Sequence, residues 1–317
     1  MNKQKIYLKA DAGADIGYGH FVRTLALASM LRDDFDCTFY TREPSIYQIT
    51  EMEKVCKWKG LGTVSTQSEF LDQLSGDEIV ILDNYNNDLS YQKSIKEKGC
   101  KLVCIDDVHQ YPFCADVVLC PDPCSISDYK LDSNTQFYAG IEWSLLRKPF
   151  IDNAGSHKAQ KLNDIVISMG GADPYCLTQR IVTILLSNTI YNVKAIIGDK
   201  TIFTIEDPRV DVYRRINAEQ IVSLFQNSKI AILSSSTICT EAICIGCPVI
   251  AGYYIDNQVE YYQSLASKSL ITPIGNLLEL DTTALLQAIK NVTSDATPLN
   301  INFNDQRIRI INIFKEI

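Results

Sequence analysis

An alternation constrains this chain more than any other feature. Short runs of almost continuous apolar, β-favouring residues are separated by stretches with helical spacing, and the series occurs twice. In the first half the runs are KIYLKA (5–10), DCTFYT (36–41), EIVILD (78–83), KLVCID (101–106) and DVVLC (116–120), with helical patterns at 21–32, 44–57 and 88–99. A strand that is apolar throughout suits a parallel sheet buried on both faces; a strand with one wet face would alternate. The polar stretch IDNAGSHKAQKLN (151–163) interrupts the pattern. A second series follows: DIVISMG (164–170), VKAIIG (193–198), RVDVYR (209–214), KIAILSS (229–235) and CPVIAGYY (247–254). The reading is an α/β protein of two Rossmann-like domains, 1–150 and 151–317, facing across a cleft. At the end, NFNDQRIRIINIFKEI sets Ile310, Ile313, Phe314 and Ile317 at helical spacing, as a closing amphipathic helix would.

A length of 317 residues accommodates two such domains, and 46% hydrophobic content suffices for their cores. The net charge of −8 lacks the basic surplus of a nucleic-acid binder. No window approaches the roughly 18 apolar residues of a spanning helix, and MNKQKIYLKADAG does not read as a secretory signal. The expectation is a cytoplasmic protein with neither nucleic acid nor membrane as partner, and the composition fits a monomer. The eleven cysteines are scattered, several inside apolar runs, and read as small buried hydrophobes in a reducing compartment. Cys244 and Cys247 form one Cys-x-x-Cys, but no second pair lies at zinc-ligand spacing, so no metal is expected there.

In open α/β sheets ligands collect beyond the carboxyl ends of the strands, so the residues just after each run carry the functional information. After the first run comes DAGADIGYGH, from Asp11 to His20, with Gly13, Gly17 and Gly19, and Arg23 one turn further on. Glycines permit close backbone approach to a ligand, and a helix N-terminus favours an anion. The spacing matches neither a dinucleotide fingerprint nor a P-loop. Two readings of His20 stay open: a surface or capping residue, or a general base beside an anionic ligand. In SMGGADP, Gly170 and Gly171 make a tight turn and a possible phosphate cradle, and Asp173 can cap a helix that starts at Pro174. In SSSTICTEAICIGCPVIAGYYIDNQ, the hydroxyls of Ser234, Ser235, Ser236 and Thr237 at a helix start suit a diphosphate. Glu241 can bind ribose hydroxyls or merely favour the first helical turn, and the Asn257 and Gln258 amides can bind a sugar. Asp83, Asp106 and Asp107 at strand ends could ligate a divalent metal, but carboxylates at such junctions are more often helix caps, the reading preferred here.

Six segments, in order, carry a resemblance over nearly the whole chain: KADAGADIGYGHFVRTLALASML, VILDNYNND, VCIDD, YAGIEWSLLRKPF, SMGGADP and TEAICIGCPVIAGYYIDNQ. Together they resemble the UDP-2,4-diacetamido-2,4,6-trideoxy-β-L-altropyranose hydrolase family, the nucleotide-sugar hydrolases of pseudaminic acid biosynthesis. The first and last segments are the most specific. The resemblance implies a GT-B-like fold with UDP held mainly by the second domain. It implies a reaction without cofactor or metal, in which water attacks the anomeric carbon and UDP leaves, for nonulosonic acid and surface-glycan synthesis. It makes His20 the general base, with Tyr85 near it. It maps the nucleotide contacts onto the 170–174 loop, the 234–241 segment and Asn257–Gln258; Asp11, Gly17, Gly19 and Arg23 of the first loop are further candidate substrate contacts. The chain departs from the family at Lys9, where arginine is usual, at Asn84, where histidine is usual, and at Thr24, often cysteine. For Arg23 two roles stay open: balancing phosphate charge, or pairing with an acid. A GT-B glycosyltransferase using a UDP-sugar donor and a non-catalytic UDP-sugar-binding module are the alternatives.

Overall fold

The structure is a computed structural model and describes residues 3–13, 18–62, 66–122, 124–158, 163–171, 173–199, 201–292, 303 and 305–317. Contacts divide the chain into two compact units, Met1–Lys148 with Asn304–Ile317, and Pro149–Phe303. The expected division runs unbroken from 151 to the end; the structure instead returns the last segment to the first unit.

The first unit contains β1 (Lys5–Ala10), α1 (Gly19–Leu31), β2 (Asp36–Arg42), α2 (Ile46–Glu53), β3 (Lys57–Leu61), α3 (Thr66–Leu71), β4 (Ile79–Asp83), α4 (Leu89–Glu97), β5 (Lys101–Ile105), β6 (Val117–Cys120) and β7 (Gln136–Ala139). After α5 (Lys148–Asp152), the second unit runs through β8 (Asp164–Ser168), α6 (Leu177–Asn188), β9 (Asn192–Ile196), β10 (Val210–Tyr213), α7 (Ala218–Gln226), β11 (Ile230–Ser234), α8 (Thr237–Ile245), β12 (Val249–Tyr253), α9 (Val259–Ser267), β13 (Thr272–Asn276) and α10 (Thr282–Asn291); α11 (Gln306–Glu316) completes the first unit.

Both sheets are parallel throughout and wound alike. The first has the order β3-β2-β1-β4-β5-β6-β7 and the second β10-β9-β8-β11-β12-β13. In each, the third strand of the series lies at one edge, the first sits at the centre, and the fourth pairs with it on the other side. This is the doubly wound plan, with its reversal of direction between β1 and β4 and between β8 and β11. The continuous apolar runs account for it: Ile79 to Asp83 and Ile230 to Ser234 are buried at every position.

Ile310, Ile311, Ile313 and Phe314 of α11 are buried, and the Phe314 ring meets that of Phe35 at 6.2 Å. Arg307 reaches across to the Met30 carbonyl at 3.0 Å, at the end of α1. Each buried aliphatic or aromatic side chain contributes roughly 1.5–3 kcal/mol, which fastens the chain's end to the first unit. Among the described residues, no helix is long and apolar enough to cross a membrane.

Candidate active site

The reversal of strand order opens a crevice at the carboxyl ends of β1 and β4, where Ala10 and Asp83 lie side by side in register. Asp11 follows directly, and α1 brings His20 and Arg23 to the same mouth. No side-chain cap bond to α1 is made among the described residues, so the N–H groups of its first turn are left for other partners there.

Asp83 is the hub. Its carboxylate has no solvent exposure and takes four contacts: His20 Nδ1 at 2.7 Å and Arg23 Nη2 at 2.6 Å on one oxygen, Arg23 Nε at 2.8 Å and Thr24 Oγ1 at 2.7 Å on the other. Burial would push this acid up; the charges and hydrogen bonds of Arg23 and His20 outweigh it and hold the carboxyl far below its usual range. A carboxylate can only accept, so His20 Nδ1 carries the hydrogen. The lone pair of the neutral ring then lies on Nε2, which makes no hydrogen bond to any described residue. Arg23 Nη2 also lies 3.1 Å from Nδ1, two donors crowded onto one oxygen. Arg23 donates further to Asp107 at 2.5 Å. Burial opposes its charge, but the two carboxylates raise its pKa above the ordinary arginine value. Of its two open roles, the structure shows the pairing with acids.

The Tyr85 ring stands edge-on to His20, centroids 4.4 Å apart at 81°. Burial, then Asp107, pushes its hydroxyl up to about 12, so it stays a protonated donor at neutral pH. Asp11 is buried beside them. It accepts from Lys9 Nζ at 3.0 Å, Asn84 Nδ2 at 2.9 Å and the Arg42 backbone N–H at 2.9 Å. Lys9 and Asn84, the two departures from the resembled pattern, thus meet on one carboxylate, and Thr24, the third, serves the other. Gly19 opens α1. Gly17 lies outside the described residues.

The cap reading fails for Asp83: α4 begins at Leu89 under its own cap, Asp88, which accepts the Tyr91 N–H at 2.8 Å. It fails for Asp107 too, whose carboxylate pairs with Arg23. Asp106 does receive local backbone N–H groups, from Val108 at 3.1 Å and His109 at 2.6 Å, although no α-helix separates β5 from β6. Burial still raises Asp106 above the usual carboxylate range. Sequence reasoning missed Asp83 as a working residue. The signal was present on α1, where His20, Arg23 and Thr24 share one face and a buried cation needs an acid.

The second unit's crevice, between β8 and β11, is built differently. Gly170 adopts φ +84°, and at Gly198 a Cβ would stand 1.7 Å from the Gly171 carbonyl oxygen, so two glycine segments touch beneath this mouth. Asp173 is buried and accepts the N–H groups of Leu177 at 2.8 Å and Thr178 at 2.9 Å. It serves a helix start, as expected, but that start is Leu177. Pro174 lies before it, because Cys176 at φ 52° interrupts the chain. Asp173 is therefore committed to α6. Ser235 is buried, donating from both backbone N–H (2.8 Å) and Oγ (3.0 Å) to the Gly252 carbonyl. Ser236 is the N-cap of α8 but makes no side-chain cap bond, and Thr237 follows, exposed. The first turn of α8 thus offers N–H groups that no capping side chain among the described residues takes. The Ser234 hydroxyl is buried there without a partner among the described residues. Glu241 is buried on the same helix. Gln258 is buried and accepts the Tyr254 N–H at 3.1 Å, while Asn257 is exposed. Cys244 and Cys247 are buried thiols pushed up by burial, and no cluster of His, Cys, Asp and Glu among the described residues is placed to hold a metal ion.

No family model matches the chain. It is 25% identical over 302 residues to an uncharacterized protein of Methanocaldococcus jannaschii, covering 87% of this chain and 61% of that protein, so it spans about three fifths of that relative's length. It is 24% identical over 276 residues to a Campylobacter jejuni UDP-2,4-diacetamido-2,4,6-trideoxy-β-L-altropyranose hydrolase, covering 83% of this chain and 97% of that protein. Similar solved structures include the kitacinnamycin glycosyltransferase (TM-score 0.67, 10% identity, 100% of this chain and 99% of that one) and Acinetobacter baumannii MurG (TM-score 0.66, 12% identity, 99% and 100%). The chain therefore has the paired Rossmann-type units of the GT-B fold, and in sequence it is similar to the Campylobacter jejuni hydrolase.

Proposed function

We propose that this protein is a metal-independent nucleotide-sugar hydrolase that releases UDP from a UDP-linked 2,4-diacetamido-2,4,6-trideoxyhexose in pseudaminic acid biosynthesis. One observation carries the reading: His20 Nδ1 is tied at 2.7 Å to a buried carboxylate, which leaves Nε2 as the basic nitrogen. An acid that fixes the tautomer and orientation of an imidazole and stabilises its protonated form is the arrangement a general base needs. Similarity to the Campylobacter hydrolase supplies the substrate class.

In the step proposed, Nε2 takes a proton from water as the water oxygen bonds to the anomeric carbon. The bond from that carbon to the diphosphate oxygen breaks, and UDP departs with the electron pair. The imidazolium that results is balanced by Asp83. The groups suited to a diphosphate's charge belong to the second unit: the N–H groups at the first turn of α8 and the Gly170–Gly171 turn. Glu241, Asn257 and Gln258 serve the rest of the nucleotide-sugar. Tyr85 holds the imidazole edge-on and offers a hydroxyl to the sugar.

Transfer to an acceptor would use the same base on an acceptor hydroxyl. Incubation with the UDP-sugar alone in ¹⁸O-water separates the two. Hydrolysis at carbon gives UDP without any acceptor, and the label appears in the free sugar. Label in UDP, or turnover only when an acceptor is added, overturns the reading. Binding without turnover would make the protein a binding module.

A further inference from the structure

Three large apolar side chains at the starts of α1 and α2 stand exposed: Tyr18 (43%), Ile46 (84%) and Tyr47 (52%). Tyr18 is the N-cap of α1, two residues before His20. Ile46 and Tyr47 open α2 just past the end of β2, where the Arg42 N–H binds Asp11. All three therefore belong to the same carboxyl edge of the sheet as the Asp83 hub.

The two tyrosine rings are not loose. Tyr18 meets Tyr47 edge-on at 5.7 Å, Tyr47 meets Phe21 at 6.4 Å, and Phe21 meets Phe39 of β2 at 5.5 Å. Phe21 and Phe39 are fully buried. A ladder of four rings thus runs from the core to the surface and ends in two exposed faces. Tyrosine placed this way gives a rigid, amphipathic contact at low entropic cost, already ordered before a ligand arrives.

We propose that Tyr18 and Tyr47 form the wall against which the apolar substituents of the sugar pack, and that they are the specificity-determining residues of the site. This rests on the function proposed above. The sugar named there carries two acetamido methyl groups, and its C6 is a methyl where an ordinary hexose has a hydroxymethyl, so it is more apolar than an ordinary hexose. Exposed rings at this edge reward those methyl groups and gain nothing from hydroxyls, which need polar partners.

The test compares affinities, so that it does not depend on turnover. Calorimetry measures binding of UDP and of the UDP-diacetamido-trideoxyhexose to the wild type, Tyr47→Ala, Tyr18→Ala and Tyr47→Phe. Each alanine variant is expected to weaken the UDP-sugar about tenfold and leave UDP within twofold, while Tyr47→Phe, which keeps the ring, stays near wild type. Equal losses for both ligands, or no loss, overturn the proposal. So does a change in molecular mass by sedimentation, which would make the patch a contact between copies. A wild type that binds the sugar with this preference but does not hydrolyse it would sink the hydrolase reading and leave the wall standing.

Discussion

The two units share a winding and differ in what they place at its switch point. In the first, a fully buried carboxylate gathers a histidine, an arginine and a threonine, with Lys9, Asp11, Asn84 and Asp107 around them. In the second, Asp173 is consumed by the start of α6. Around it stand glycine backbone, hydroxyls, the first turn of α8 and, further along that helix, the buried Glu241. Under the function proposed above, one crevice moves a proton and the other receives an anion. A shared topology fixes where a ligand goes, and the side chains at the strand ends decide what is done to it.

The largest effect expected follows from the hub. Asp83→Asn leaves Arg23 and His20 buried with a weakened partner, a change that costs about 3–5 kcal/mol in comparable buried pairs. It also frees the imidazole to take the wrong tautomer, so turnover should fall by about 10²–10⁴-fold. Urea denaturation and UDP release read the two losses separately. A variant as stable and as active as the wild type would mean that the first crevice is ordinary structure.

The next effect lies in the other unit. Thr237→Glu adds a negative charge at the first position of α8, where it suits the helix but repels a diphosphate. UDP affinity should fall roughly tenfold or more, with stability unchanged or slightly raised. If turnover at saturating substrate collapsed as well, the division of labour between the units would be blurred.

A third, smaller effect appears in acid. Folding holds the Asp83 carboxyl below its unfolded value of about 4. Its stabilisation is therefore fully present above that value and lost as pH falls through and below it. The stability gap between wild type and Asp83→Asn should be constant from pH 7 to 5 and narrow progressively below pH 4. A gap that does not narrow argues against a carboxylate held ionised. The smallest change expected is Tyr85→Phe. It keeps the ring edge against His20 and removes only the hydroxyl, so turnover should stay within about fivefold; Tyr85→Ala should cost more.

The fold was legible where strands are buried on both sides. The runs around 79–83 and 230–234 announce themselves because every side chain meets apolar neighbours. The strands missed are β3 (KWKGL), β7 (QFYA) and β13 (TPIGN), and all three are sheet edges. An edge strand meets solvent on one side, so lysine, glutamine, proline and glycine are tolerated there and the apolar signal disappears. The amphipathic spacing of α11 foretold a helix but not which unit it would join, since a buried stripe does not name its partner. At the site, the Gly-rich loop singled out His20, and Tyr85 came only from the resemblance; their rings do meet, at 4.4 Å. Asp83 was not, because a carboxylate after a strand looks the same whether it caps a helix or anchors a base, and only the register of β1 with β4 brings it to His20.

One experiment bears most directly on the division between proton transfer and anion binding. His20→Asn is compared with the wild type for UDP affinity by calorimetry and for UDP release from the UDP-sugar. Turnover should fall at least 100-fold, with UDP affinity within twofold of wild type. Turnover within a few-fold of wild type, or affinity and turnover falling together, would contradict it.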